Sequence, residues 1–309
     1  MARSRIVLSA AALTLAAGLA QAQSFSEHFD MVDPLFTTGG WFGQNNSDDP
    51  DPTYTAWQQG VDFRPTREMF AHSGDPTSYA LANYQATLGS LGTEDISLWM
   101  IPPTVTLRNG DQIKFWTQCI PPGATIYPDR MQVRLSTAGA STNVGTGPLG
   151  VGDFTTLLMD INPNYSMNQT PGPPTGNPLI VDGYPIVWTQ YTITLSGLPA
   201  AGVSGRFAFR YFVEDSGLNG PHGNVVGVDD LDYVSAGSGG TCYANCDNST
   251  NAPCLNVNDF VCFNNAFSAG LPYANCDAST INPTLNVNDF VCFNNAYSAG
   301  CTNPCSPRP

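Results

Sequence analysis

Between residues 24 and 235 apolar and polar side chains alternate with a period of two in many short runs, and the period becomes helical near the C-terminus. Met131, Val133 and Leu135 alternate with Gln132 and Arg134, while Val187, Thr189, Tyr191, Ile193 and Leu195 line one face of a second run. Alternation bounded by Gly, Pro, Asn and Asp predicts half-buried strands. Phe207, Phe209 and Tyr211 predict another strand, with Arg206, Ala208 and Arg210 on a face that meets water. Between Thr104 and Thr117 the Asn109-Gly110 pair predicts a hairpin. The Pro-, Gly- and Asn-rich stretch 162–185 predicts a long surface loop. An all-β unit of roughly 210 residues is large enough to close a two-sheet core by itself.

The tail obeys a different rule. Residues 243–272, YANCDNSTNAPCLNVNDFVCFNNAFSAGLP, realign on 273–302, YANCDASTINPTLNVNDFVCFNNAYSAGCT, at a period of 30 with 23 identical positions. Phe260, Phe263 and Phe267, with Phe290, Phe293 and Tyr297 in the second copy, stand at i, i+3 and i+7 and predict one helix per copy, stopped by Gly270 and Gly300. Two copies predict a compact pair related by a pseudo-twofold. Eight of the nine cysteines fall after residue 241, a density that predicts a disulfide framework in a module too small to hold itself by burial alone. Zinc fits poorly, since no C-x-x-C pair and no histidine lies there. Cys246 and Cys262, like Cys276 and Cys292, are 16 apart. Each loop is then clasped to its own helix, or the pairing crosses as 246 with 292 and 276 with 262. Cys242 and Cys301 bracket the repeats, and Cys254 and Cys305 are left to pair by elimination.

Composition narrows the function classes. The chain has 25 Asp and Glu against 11 Lys and Arg, a net charge of −14, which argues against nucleic acid as a partner. Only four acids are Glu and Lys114 is the sole lysine, so exposed helices should be few. Residues 1–22 read as a secretory signal: basic Arg3 and Arg5, an apolar run from Ile6 to Leu19, then Ala20-Gln21-Ala22. No other stretch reaches membrane-spanning length, so a soluble secreted product is expected, comprising a domain over 23–235, a linker over 236–241 and a module over 242–305.

The chemistry legible in the chain is coordination. Asn245, Asp247 and Ser249 occupy alternate positions, followed by Asn256 and Asp259 three apart; Asn275, Asp277, Ser279, Asn286 and Asp289 repeat the set. Oxygen donors in that order suit calcium, at loop positions 1, 3, 5, 9 and 12. Each loop departs from the 12-residue pattern by three extra residues and by Thr250 or Thr280 in place of glycine, and Pro253 and Pro283 are candidates for the turn. The competing reading is a set of Asx-turns and helix caps without metal. No catalytic constellation appears: His28, His72 and His222 are scattered, and nucleophile, zinc-protease and phosphate-loop motifs are absent. Cys119 reads as a buried thiol, and the five tryptophans mostly as core.

The repeated ANCD-x-ST…P-x-LNVNDFVCF…SAG pattern with bracketing cysteines resembles the GC-type dockerin of bacterial secreted proteins. The resemblance implies two bound calcium ions, a cohesin module as partner, and contact through loop positions 10 and 11, which are Val257-Asn258 and Val287-Asn288 here. The first domain resembles the choice-of-anchor J family, related to cleaved-adhesin and MAM-like jelly rolls. The matching stretches are Phe25-x-Glu27-x-Phe29-Asp30, Leu35 to Trp41, Pro128 to Ser136, Val151 to Phe154, Gly205 to Tyr211 and Gly227 to Asp230. The expected fold is therefore an all-β jelly-roll sandwich followed by a small α-helical, disulfide-rich dockerin of two calcium-loop and helix repeats. First and last strands commonly adjoin in jelly rolls, so Glu27, Asp30, Asp229, Asp230 and Asp232 should meet, and their mutual repulsion predicts one structural calcium there. The expected task is non-catalytic adhesion or glycan binding at a cell surface or scaffold. The rivals are a subunit of a carbohydrate-active enzyme and a purely structural extracellular component.

Overall fold

The computed structural model describes residues 24–90, 92–217, 219–236, 242–250, 253–277, 279, 283–300 and 308. The proposed signal segment, most of the linker and Cys301 and Cys305 lie outside the described residues. Two sheets face each other. The strands are β1 (Phe25–Glu27), β2 (Phe42–Asn45), β3 (Gln58–Gln59), β4 (Ala80–Asn83), β5 (Glu94–Ile101), β6 (Val105–Leu107), β7 (Gln112–Cys119), β8 (Met131–Ser136), β9 (Thr156–Ile161), β10 (Leu179–Val181), β11 (Thr189–Thr194), β12 (Val203–Ser216) and β13 (Val225–Val234). A short helix α1 (Val32–Thr37) follows β1. The first sheet runs β11-β7-β13-β4-β3, with β1 pairing the later half of β13; the second runs β10-β9-β8-β12-β5-β2, with β6 on the start of β12. First and last strands are therefore neighbours, Glu27 opposite Leu231.

The period-two pattern places the core. Met131, Val133, Leu135, Phe207, Phe209 and Tyr211 from one sheet meet Ile113, Phe115, Tyr191, Ile193 and Tyr233 from the other, all buried. Phe115 and Phe209 touch edge to face across the gap, ring centres 5.0 Å apart, an arrangement aromatic quadrupoles favour. Val187 departs from its expected face and is 61% exposed, because β11 begins only at Thr189.

Three expectations need correction. Of the β12 residues expected to meet water, Arg206 is only half-buried, but Ala208 and Arg210 are buried beneath residues 137–154. Val144 and Phe154 from that segment cover Trp99, Ile101 and Ala208, and the Arg210 guanidinium donates to the Pro148 carbonyl. Burial pushes Arg210 down to about 9. Asn109-Gly110 does form a turn, with Gly110 at φ 90°, but β6 and β7 do not pair. They enter opposite sheets, and the turn is stapled instead to Leu198 by two hydrogen bonds from and to Asn109, 2.8 Å each. The 162–185 stretch contains a strand, β10, which pairs in parallel with β9.

Asp129 is buried at one end of the sandwich, where its Oδ1 accepts from the Tyr211 hydroxyl and the Asn224 N–H, 2.7 Å each. Desolvation pushes its pKa up to about 7. The folded protein then holds a proton that the unfolded chain, with a pKa near 4, releases. That contribution to stability is complete below about pH 4 and is lost as pH rises toward 7. Asp129→Asn should flatten the pH dependence by up to about 4 kcal/mol over that range, read from urea unfolding of both proteins. Parallel curves would contradict this.

The repeats fold as a pair. Helix α2 (Val257–Ser268) and helix α3 (Val287–Ala299) each begin with a capping box, in which Asn256 or Asn286 is the N-cap and Asp259 or Asp289 reaches back to the cap N–H. Reciprocal contacts show the pseudo-twofold. Phe263 stacks on Phe293 at 4.3 Å, Tyr243 on Tyr273 at 4.7 Å, and the two tyrosine hydroxyls each donate to the other's carbonyl. Phe260 meets Phe293 and Phe263 meets Phe290 edge to face, both at 5.3 Å. No helix among the described residues is long and apolar enough to cross a membrane.

Candidate functional site

The loops before α2 and α3 have the same construction. Asn245, wholly buried, accepts from the Ser249 N–H and donates to the Ser249 carbonyl, both at 2.9 Å; Asn275 and Ser279 repeat this at 3.0 and 2.9 Å. Asp247 and Asp277 accept from the same serine N–H groups at 2.9 Å. The Ser279 N–H holds the Asp277 carboxyl below its usual range. Ser249 and Ser279 hydroxyls close the turn on the carbonyls of Cys254 and Thr284, at 2.7 and 2.9 Å.

Asp259 and Asp289 tie each loop to its helix. One oxygen of Asp259 accepts from the Asn256 N–H at 2.8 Å and the other from the Asp247 N–H at 3.3 Å; for Asp289 the distances are 2.7 Å to Asn286 and 3.4 Å to Asp277. Both carboxylates are fully buried. The residue at position 12 thus ties the backbone of position 3 to the helix start within each loop. Among the described residues no three His, Cys, Asp or Glu side chains gather in a metal-holding group. A cation here would draw on amide, hydroxyl and carbonyl oxygens beside two carboxylates, a donor set that suits a hard ion.

The disulfides resolve the pairing question in favour of the clasped arrangement. Cys246 bonds Cys262 and Cys276 bonds Cys292, so each loop is locked to its own helix. Cys242 and Cys254 are also disulfide-bonded.

With the phenylalanines turned inward, the opposite edge of each helix carries bare valine. Val257 and Val287 are each 71% exposed, and Val261 and Val291, one turn on, 53% and 52%. Asn258 and Asn288 stand exposed beside them. The sequence reading singled out only the first valine of each pair, although spacing i, i+4 already places the second on the same edge.

On the sandwich, the pairing of β1 with β13 sets Glu27 opposite Leu231, and two histidines gather on the neighbouring Asp230. Asp230, at φ 44°, holds His28 Nδ1 and His72 Nδ1 at 2.6 Å each and accepts from the Ser73 hydroxyl at 2.8 Å. Asp229 accepts from the His72 N–H at 2.8 Å and the Asp230 N–H at 2.7 Å. Glu27 accepts from the Phe29 N–H at 2.8 Å, Asp232 from the Ser26 hydroxyl at 2.5 Å, and Asp30 lies beside Gly74. The repulsion behind the calcium expectation is thus met at Asp229 and Asp230 by hydrogen-bond donors. Burial pushes Asp229 up to about 7, whereas the His28, His72 and Ser73 donors outweigh burial and hold Asp230 below the carboxylate range. The bond to Asp230 raises His28. Nothing in linear spacing signalled this meeting of residues 28, 72 and 230. Trp41, Trp57 and Trp99 are core, while half-buried Trp116 stacks on His72 at 3.9 Å and Trp188 meets it edge on.

No protein-family model matches the chain, and no curated protein does. Among solved structures, it is similar to the K1 cleaved adhesin domain of Lys-gingipain from Porphyromonas gingivalis W83, with 19% identity, 69% of this chain and 98% of that one covered, and a TM-score of 0.40. The K3 domain gives 17%, 70%, 100% and 0.38. The CBM22-1 xylan-binding domain of Xyn10C from Paenibacillus barcinonensis gives 9%, 70%, 96% and 0.31. Likeness at these TM-scores assigns no ligand, which leaves the task of the sandwich to its own residues.

Proposed function

We propose that this protein is a secreted, non-catalytic β-sandwich, serving adhesion or glycan binding, attached to a cohesin-bearing partner through a calcium-dependent, dockerin-like pair of repeats. The observation that carries the attachment is the duplicated unit: an oxygen-lined loop, locked by a disulfide to a helix whose outer edge exposes valine and asparagine in both copies. Calcium would be held by Asn245, Asp247, Ser249 and Asp259, and in the second copy by Asn275, Asp277, Ser279 and Asp289, with Asn256 and Asn286 at position 9. Bound calcium supplies positive charge that fixes each loop against the start of its helix. The exposed edges Val257-Asn258-Val261 and Val287-Asn288-Val291 then offer two equivalent docking faces, of which a partner needs one.

Surface plasmon resonance of the full-length protein over immobilised purified cohesin modules tests this. Binding is expected in millimolar calcium and absent in EGTA. Val257→Asp or Val287→Asp alone should weaken it only about twofold, the statistical loss of one of two equal faces, which is a few tenths of a kcal/mol. The double variant should not bind, because either edge would bury an unpaired carboxylate. Binding untouched by the double variant would refute the docking faces.

A further inference from the structure

The loop between β12 and β13 forms one wall of an open cleft of about 400 Å3 at the end of the sandwich, lined by Arg67, Tyr84, Tyr127, Asn219, Asn224 and three glycines. That volume is ordinary for a ligand cleft, whose usual range is about 300–1,000 Å3. In a chain with 25 acids, no carboxylate lines it. Tyr127 is 42% exposed and Tyr84 half-buried. The hydroxyls of both tyrosines and the side-chain amides of Asn219 and Asn224 make no hydrogen bond among the described residues.

The walls are fixed by main-chain bonds. The Gly223 N–H donates to the Pro128 carbonyl at 2.9 Å, which holds the loop beside Tyr127, and the Tyr84 N–H donates to the Asn224 carbonyl at 2.9 Å. The Asn224 N–H is anchored on buried Asp129 at 2.7 Å. Gly223 sits at φ 84°, where a Cβ would lie 2.4 Å from the Ser216 hydroxyl, so this turn needs glycine. Arg67 is oriented by donation to the Pro121 carbonyl. A cleft whose backbone is already in place loses little conformational entropy when it is filled.

We propose that this cleft is the sandwich's oligosaccharide subsite, which rests on reading the sandwich as a glycan-binding module. The tyrosine rings offer faces for the C–H surfaces of pyranose rings, and the two amides and the guanidinium supply donors and acceptors for sugar hydroxyls. A single cation is too little for a polyphosphate. The absence of any carboxylate or nucleophile from the lining suits retention of the sugar and offers nothing to cleave it.

Native affinity electrophoresis of the full-length protein in gels containing xylan, mannan, laminarin or polygalacturonate tests the assignment. Retardation is expected in at least one gel, with Tyr127→Ala weakening it about tenfold or more and Asn219→Ala weakening it measurably. The tail variant Val257→Asp/Val287→Asp should be retarded like the native chain. Retardation unchanged in both Tyr127→Ala and Asn219→Ala would overturn the cleft while the glycan-binding reading stands. No retardation of the native protein in any gel would overturn that reading and the cleft with it.

Discussion

Exposure to a thiol reductant should melt the helical repeats and leave the β-sandwich folded. The only cysteine of the sandwich is Cys119, a free thiol buried in the core and pushed well above its usual pKa by desolvation, so it has no crosslink to lose and little thiolate to react. The tail depends on its crosslinks. Cys246–Cys262 and Cys276–Cys292 each close a separation of 16 residues, and loops near that size constrain the unfolded chain by about 3 kcal/mol apiece. Two such losses exceed what a module of this size is expected to hold in reserve. Hydrogen exchange of the full-length protein, resolved by peptide, should show α2 and α3 losing protection in reductant while β7, β12 and β13 keep theirs. Simultaneous loss in both regions would mean that the two parts fold as one unit.

The second large effect concerns Asp259 and Asp289. Each fully buried carboxylate satisfies two backbone N–H groups, one at the helix cap and one in the loop. Asp259→Ala or Asp289→Ala should therefore cost about 2–4 kcal/mol, the loss of an N-terminal capping contact plus a second orphaned donor. Asparagine separates structure from metal. It keeps one accepting oxygen but sets an NH2 group against the second N–H and removes the charge, so Asp259→Asn/Asp289→Asn should already be less stable than the native protein in EGTA, and the readout is the change each protein shows on adding calcium. In calcium the native protein should gain stability and the variant should not; calcium at about one hundred times its Kd would contribute about 2.7 kcal/mol. Equal gains in the two proteins would place the metal elsewhere.

Much of this arrangement was legible from local rules. Alternation located the inward residues of β8, β11 and β12 because a strand with one face on the core must repeat every second residue. The 30-residue repeat and the phenylalanine spacing gave two helices and their pseudo-twofold, and Asn256 with Asp259 already spells a cap. What the sequence left out depends on contacts between distant segments. Arg210 looked solvated because nothing near it in the chain shows that residues 137–154 fold over that face. The Asn109-Gly110 turn has hairpin composition, yet its flanking strands are claimed by partners in different sheets, and pairing with β11, β12 and β13 decides where they go. His28 and His72 meet at Asp230 only because β1 lies on β13 and the His72 backbone is held by Asp229 of the same strand. The disulfide pairing was open between two symmetric solutions, and only the approach of each loop to its own helix chooses between them.

Isothermal titration of the full-length protein with calcium, after exhaustive removal of metal with EGTA and dialysis, bears most directly on the proposed attachment. Two ions per chain are expected, one for each repeat, falling to one when either Asp259 or Asp289 is replaced by asparagine and to none when both are. Titration that shows no calcium binding, or binding that survives the double replacement, would contradict a calcium-dependent pair of loops.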